Sequence, residues 1–309
     1  MKIIPIFAPT KICMKQNTLK NTYYFEGKGL HSGKYAHMRI CPAPVDTGIR
    51  FHRTDLGPDA YVDAIAQNVS LTARSTTISK GKASISTIEH LLSALTGLGV
   101  DNALIEIDNV EVPVLDGSAE KYVEAIYPDG LVEQDAPRKY IEIGSEFLYK
   151  DDKTGSYIKL IPSDKPSYEV TIDFNSKVLG VQTVKWDPSM DYVHEIAPCR
   201  TFCFLHEIQL LASLGLIKGG DVENAIVVVE RTVSPQRIAR LAKTFGHPEL
   251  KVTQQGYLNN VELHFPDECG RHKLLDIIGD LRLVGGFLKA KVIAYKPGHS
   301  INTKVAKLI

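Results

Sequence analysis

The chain has 309 residues, 44% of them hydrophobic and 23% charged, a composition that excludes wholesale disorder and leaves room for two domains of ordinary size. Lys plus Arg and Asp plus Glu both number 36, so no basic field draws the protein onto nucleic acid, and no apolar run approaches the roughly 20 residues that span a bilayer. Five scattered cysteines, Cys13, Cys41, Cys199, Cys203 and Cys269, fit a reducing cytoplasm better than a disulfide framework.

Residues 1–13, where Pro5 and Pro9 interrupt a short apolar piece, read as an N-terminal extension, and Met14 as a natural beginning. A first domain is expected over 14–136. Strands are predicted from Thr22 to Glu26 and from His37 to Cys41, joined by the turn-rich Gly27-Lys28-Gly29-Leu30-His31-Ser32-Gly33-Lys34 as a hairpin, with a β-rich region running on to about Ser84. Apolar residues at helical spacing predict a helix from Thr87 to Leu98, stopped by Gly99. A strand from Asn102 to Ile107, a turn at Val112-Pro113-Val114-Leu115-Asp116-Gly117-Ser118 and a helix from Ser118 to Ile126 follow.

Asp129 to Arg138 is polar, and Asp135-Ala136-Pro137 is expected to mark a linker, which puts the second domain at 137–309. There the order repeats, with strands at Tyr140–Ile143, Tyr157–Ile161 and Tyr168–Asp173, a helix from about Phe204 to Leu214, a strand from Asn224 to Val229, a helix through His272 and a strand from Ala290 to Tyr295. A further insertion near 231–256, with a helix from Gln236 to Phe245, is expected to decorate the surface because its apolar content is modest. Sheets packed on helices, occurring twice, predict an α+β fold of two similar two-layer α/β sandwich domains.

The chemistry concentrates in Arg271-His272-Lys273-Leu274-Leu275-Asp276. An imidazole and a carboxylate four residues apart lie on one helix face and can share a divalent cation, although the same spacing fits a surface ion pair. His90, beside Glu89 in Ser86-Thr87-Ile88-Glu89-His90-Leu91-Leu92, offers a third ligand, and His299 follows Pro297-Gly298; together these residues suggest metal-assisted hydrolysis. Ser86-x-x-Glu89 also reads as a capping box. Cys199 and Cys203 are spaced like half of a zinc site, but with no second pair they read as buried thiols. No H-E-x-x-H is present, so a zinc peptidase has no support.

Gly29-Leu30-His31-Ser32-Gly33, Ser86-Thr87-Ile88-Glu89-His90-Leu91-Leu92-Ser93-Ala94-Leu95, Val112 to Ser118, Arg200-Thr201-Phe202, His272-Lys273-Leu274-Leu275-Asp276 and Gly298-His299 occur in one order. Together, from about Met14 to Asn302, they closely resemble the bacterial UDP-3-O-acyl-N-acetylglucosamine deacetylase family, zinc amidases that commit their substrate to lipid A synthesis. The resemblance implies Zn2+ held by His90, His272 and Asp276, Glu89 as general base, and His299 as acid or electrostatic stabiliser, with Asp280 orienting His299 and raising its pKa. It implies that the Thr201 hydroxyl supports the oxyanion, and that Lys273 contacts an acylated UDP-N-acetylglucosamine. A βαβ insert near 203–229, closed by Gly215 to Gly220, would carry an acyl passage lined by Phe202, Phe204, Leu205 and Ile208, continuing to Leu210 and Leu211. Because His90 and His272 come from different domains, the active site is expected at their interface.

The residues alone leave plainer readings open: a solvated loop histidine for His299, an exposed helix acid for Asp280, a strand threonine for Thr201, a solvated lysine for Lys273 and helix core for the apolar stripe. A relative that only binds the nucleotide sugar is the non-enzyme rival, and retention of every catalytic residue of the family argues against it. The family also implies a cytoplasmic protein, in some members fused to a hydroxyacyl-carrier-protein dehydratase, an expected partner domain. The 231–256 insertion is longer than the resemblance leads one to expect.

Overall fold

The structure is a computed structural model that describes residues 14–208, 224–245 and 247–309. The extension at 1–13, with Cys13, and the stretch 209–223, with Leu210, Leu211 and the Gly215 to Gly220 closure, lie outside the described residues.

Period-two alternation builds two sheets. In Tyr35–Pro42 it turns Ala36, Met38 and Ile40 inward, and in Phe287–Tyr295 it buries Leu288, Ala290, Val292 and Ala294. The first sheet runs Tyr23–Lys28, Tyr35–Pro42, Ala103–Ile107, Ile49–Arg53, Tyr61–Asp63; the expected hairpin pairs Tyr23 with Ile40 and Lys28 with Tyr35. The second runs Phe147–Asp151, Ser156–Pro162, Phe287–Tyr295, Ser167–Asp173, Val181–Trp186, and Tyr140–Glu142 adds in parallel to Phe287–Tyr295. In both, the central strand is the last of the five in chain order, pairs in parallel with one neighbour, and is antiparallel to the other. In both, one helix precedes that strand and another follows it: Glu89–Leu98 and Glu120–Ile126 in the first half, Glu268–Leu281 and His299–Leu308 in the second. The fold is thus the expected α+β pair of sheet-plus-helices units, and the repeated topology carries the duplication that residue identity leaves faint.

Each half also carries an insert at the same point, between the last antiparallel strand of its main sheet and the long helix that leads into its central strand. In the first half this is a three-stranded sheet, Val69–Leu71, Thr77–Lys80 and Ala83–Ile85. In the second it includes the parallel pair Phe202–Phe204 and Ile226–Val228 and the helix Pro235–Phe245.

The helices Glu89–Leu98 and Glu268–Leu281 pack against each other. Gly279 makes this close: a Cβ there would run into the Glu89 carbonyl oxygen and the Ser93 amide. Leu91, Leu92 and Leu95 on one helix and Leu274, Leu275 and Ile277 on the other are fully buried in one continuous core.

Two expectations are corrected. The polar stretch expected to be a linker is the strand Leu131–Pro137, antiparallel to Lys15–Leu19. A two-stranded ribbon with an exposed face tolerates Glu133 and Asp135, which meet Lys15 at 3.3 Å each. The helix expected from about Phe204 is present directly after the strand Phe202–Phe204, with residues 205–208 helical and the rest of its range outside the described residues. The 231–256 segment contributes core rather than decoration. Its helix is amphipathic, and Leu241, Ala242 and the following Leu250 join Leu205, Ile208, Val227 and Leu258 in a second apolar cluster, so the few apolar residues count because they share one face. Among the described residues no helix is long and apolar enough to cross a membrane.

Candidate active site

His272, Asp276 and Asp280 recur every four residues along a helix whose other positions are largely Leu, Ile and Gly, so they form a polar stripe on an element buried from both sides. His272 and Asp276 are each 1% exposed, which removes the surface ion-pair reading. His90 stands in the first turn of Glu89–Leu98, and its Nε2 is 3.5 Å from Asp276 Oδ1, as is Nε2 of His272. One ligand atom from each of the three lies within 4.8 Å of the others. Cys199 and Cys203 do not join them, and burial pushes the Cys203 thiol up to about 12.

Two observations test whether this triad fits a cation. The Cys199 carbonyl lies 3.0 Å from His272 Nδ1 and can only accept, so that nitrogen carries the proton and Nε2 keeps its lone pair. Burial pushes His272 down to about 3, leaving it neutral. Asp276 is ionised: burial opposes this, but the charge of Lys273 above all holds it well below the usual carboxylate range. Its Oδ2 accepts from Lys273 Nζ at 2.7 Å, whereas Oδ1 is buried with no hydrogen-bond donor. A buried anionic oxygen facing imidazole nitrogens is costly unless a cation lies between them. The residues therefore fit a divalent ion.

The Cys199 carbonyl is itself held. Arg200 donates to Glu268 Oε1 from its backbone amide at 3.0 Å and from Nε at 2.9 Å, tying residues 199–201 to the start of the His272 helix. Glu268, with its 0% exposed side chain, lies three residues before the Arg271-His272 motif and has no distinctive sequence pattern.

Glu89 makes no capping box. The Ser86 hydroxyl donates to Val110 O at 3.2 Å, and Glu89 Oε2 instead accepts the Thr76 backbone N–H at 2.9 Å. Its Oε1 is 3.8 Å from His299 Nε2. Burial pushes the Glu89 carboxyl up, against the pull of His299 and His90. His299 is not a solvated loop residue, because it opens the helix His299–Leu308 and is 9% exposed. Asp280 is fully buried rather than a surface acid: its Oδ2 lies 2.9 Å from His299 Nδ1 and accepts from Asn302 Nδ2 at 2.9 Å, and its Oδ1 accepts from Thr76 Oγ1 at 2.6 Å. Burial alone would lower His299, but the charges of Asp280 and Glu89 outweigh it and hold the imidazole up at about 9. At neutral pH it is an imidazolium. Thr76 and Asn302 had no motif to reveal them.

These groups open on one cavity of about 360 Å³. Glu89, His90, His272, Asp276, His299, Thr201 and Lys273 line its polar part, while Phe202, Phe204, Leu205 and Ile208 line its apolar part. Asp280 stands behind His299. Phe174, which the sequence reading missed, packs edge-on against Phe202 at 5.4 Å and Phe204 at 5.8 Å, and Lys273 Nζ sits 5.5 Å over the Phe202 ring. The two glycine-containing turns serve the same space. Glu111 accepts the amides of His31 at 2.9 Å and Ser32 at 2.7 Å, holding Leu30 and His31 on the cavity wall. Gly117, at φ +81, abuts the Asn224 carbonyl where no side chain fits, and its own carbonyl accepts from the Thr201 amide at 2.8 Å.

The sequence profile described as UDP-3-O-acyl N-acetylglycosamine deacetylase matches residues 16–246 and 248–309. The bifunctional enzyme LpxC/FabZ of Porphyromonas gingivalis is 45% identical over 295 residues, 96% of this chain and 64% of that protein. Its namesake from Bacteroides thetaiotaomicron is 42% identical over 294 residues, 95% of this chain and 64% of that protein. The UDP-3-O-acyl-N-acetylglucosamine deacetylase of Pseudomonas entomophila is 41% identical over 298 residues, 95% of this chain and 89% of the relative. The chain thus spans just under two thirds of the length of the bifunctional relatives.

Proposed function

The chain belongs to the UDP-3-O-acyl N-acetylglycosamine deacetylase family, and from that premise we propose that it is a zinc-dependent amidohydrolase. It releases acetate from the 2-amino position of a UDP-3-O-(3-hydroxyacyl)-N-acetylglucosamine, the step that commits this sugar to lipid A synthesis. The observation that carries the reading is Asp276 Oδ1, buried without a donor and 3.5 Å from two imidazole nitrogens. Two imidazoles and one carboxylate are a donor set suited to zinc with a position left for substrate or water. Held by His90, His272 and Asp276, the ion would supply Lewis acidity, polarising the acetamide carbonyl and acidifying water.

The protein's own groups do the rest. Glu89 takes the proton of the attacking water as the new C–O bond forms; its raised affinity for protons suits a base that must hold one briefly. The Thr201 hydroxyl donates to the oxygen that becomes negative, and the nearby imidazolium of His299 adds opposite charge. As the C–N bond breaks, His299 gives its proton to the nitrogen, which leaves as a neutral amine; Asp280 keeps the ring oriented. Lys273 meets the polar end of the substrate as a point charge. The acyl chain runs along Phe202, Phe204, Leu205 and Ile208, which excludes water from it. We place the protein in the cytoplasm, and the longer bifunctional relatives support the expectation of a second, fused catalytic unit.

The test is acetate release from the acylated UDP-N-acetylglucosamine measured beside metal content. One zinc per chain and turnover lost with chelation are expected. Zinc-free protein with full turnover would sink the proposal.

A further inference from the structure

Thr76 sits in the insert of the first half, immediately before the strand Thr77–Lys80, and is 0% exposed. Two hydrogen bonds leave it in different directions. Its backbone N–H donates to Glu89 Oε2 at 2.9 Å, and its hydroxyl donates to Asp280 Oδ1 at 2.6 Å. Asp280 passes the connection on through Oδ2, 2.9 Å from His299 Nδ1, and the imidazole's other nitrogen returns to Glu89 Oε1 at 3.8 Å. Glu89, Thr76, Asp280 and His299 therefore close a ring, drawn from both halves of the chain and buried throughout.

We propose that Thr76 is a positioning residue that sets the two proton-handling groups, Glu89 and His299, against each other. The inference rests on the catalytic reading of those two residues given above. The physical reason is torsional. A carboxylate turns easily about its last bond, so Asp280 orients His299 only if its own plane is fixed. Asn302 and His299 both engage Oδ2, which leaves Thr76 as the donor that fixes Oδ1. A β-branched side chain has restricted χ1 freedom, so the hydroxyl is held in place rather than sampled. Meanwhile the amide of the same residue fixes Glu89 Oε2, so one residue ties the spacing of base and acid to a single peptide unit. Small displacements of catalytic groups are costly: about 1 Å can lose on the order of a hundredfold in rate.

The test uses the full chain with its metal and compares Thr76→Val, Thr76→Ala, Thr76→Ser and, as reference, Glu89→Gln. Thr76→Val is near in shape but has no donor, and Thr76→Ala covers the case in which valine prevents folding. Both keep the amide bond to Glu89. Metal content and KM close to those of the parent are expected, with kcat lower by about tenfold or more, the loss being in orientation rather than binding. Thr76→Ser restores the hydroxyl and should bring kcat back to within about threefold of the parent. Parental kcat in the valine and alanine variants, or a loss that serine does not restore, overturns the proposal. Full turnover in Glu89→Gln would instead remove the catalytic reading beneath it, so the two failures are distinguishable.

Discussion

The two halves share a strand order, a central parallel pair and a helix on either side of the last strand, yet their contributions to the cavity differ. The first half supplies a helix start, Glu89 and His90, and an insert of three short strands that brings Thr76 to the polar end. The second supplies a helix middle, His272, Asp276 and Asp280, another helix start at His299, and an insert whose apolar cluster faces the opposite end. The second helix of the first half, Glu120–Ile126, contributes none of the proposed catalytic groups, although its counterpart begins with His299. A repeated scaffold therefore does not make a repeated site. Identity of topology fixes where helix ends and inserts fall, and the side chains placed there divide the labour.

If this division is right, a metal ligand from either half should matter equally. His90→Ala and His272→Ala should each lose stoichiometric zinc and reduce turnover by about a thousandfold or more, read by metal analysis and acetate release. Retention of zinc by either variant would break the symmetry. Glu89→Gln should keep the metal and lose about 10² to 10⁴ in kcat, since it removes a proton acceptor and leaves the ligands in place.

His299→Ala tests the second half's helix start and should lower kcat by about a hundredfold. In the parent protein the folded pKa of about 9 lies above the ordinary 6.5. Protonation is thus favoured in the fold: the ion pair with Asp280 contributes stability fully below about 6.5 and loses it as pH rises through about 9. Turnover should fall over the same alkaline range, and a pH–rate profile of the alanine variant should lack that limb.

Leu241→Ala probes the apolar insert. It removes a buried methyl-rich side chain from the satellite cluster and should cost about 2–5 kcal/mol locally, loosening substrates with long acyl chains more than short ones. Equal KM values for both lengths would detach the cluster from acyl binding. The smallest effect separates the helix contact from ordinary glycine positions. Gly279→Ala should destabilise by about 1–3 kcal/mol, seen as a lower Tm, while Gly144→Ala, with open space around it, should change Tm little.

Much of this was legible because it is local. The four-residue spacing of His272 and Asp276, the Gly99 stop and the Tyr23 to Pro42 hairpin follow from backbone periodicity, and the structure reproduces them. What escaped was set by partners far away in sequence. Glu89 spaced as a cap from Ser86 looks like a cap until Thr76 takes its carboxylate. His299 after a Pro-Gly turn looks exposed until Asp280, 19 residues earlier, receives it. Glu111 and Glu268 are buried anchors for backbone amides, a role that nothing in the neighbouring sequence distinguishes from that of a surface acid. The polar strand Leu131–Pro137 failed for a related reason, since an exposed ribbon lacks the apolar alternation by which strands are recognised.

The contact at Gly279 also bears on how the molecule comes apart. Two helices whose apolar residues share one core, pressed backbone to backbone, leave neither half a finished surface of its own. Cutting the chain beside Pro137 would expose Leu91, Leu92, Leu274 and Ile277 together. The halves should therefore melt as a single cooperative unit, with one calorimetric transition.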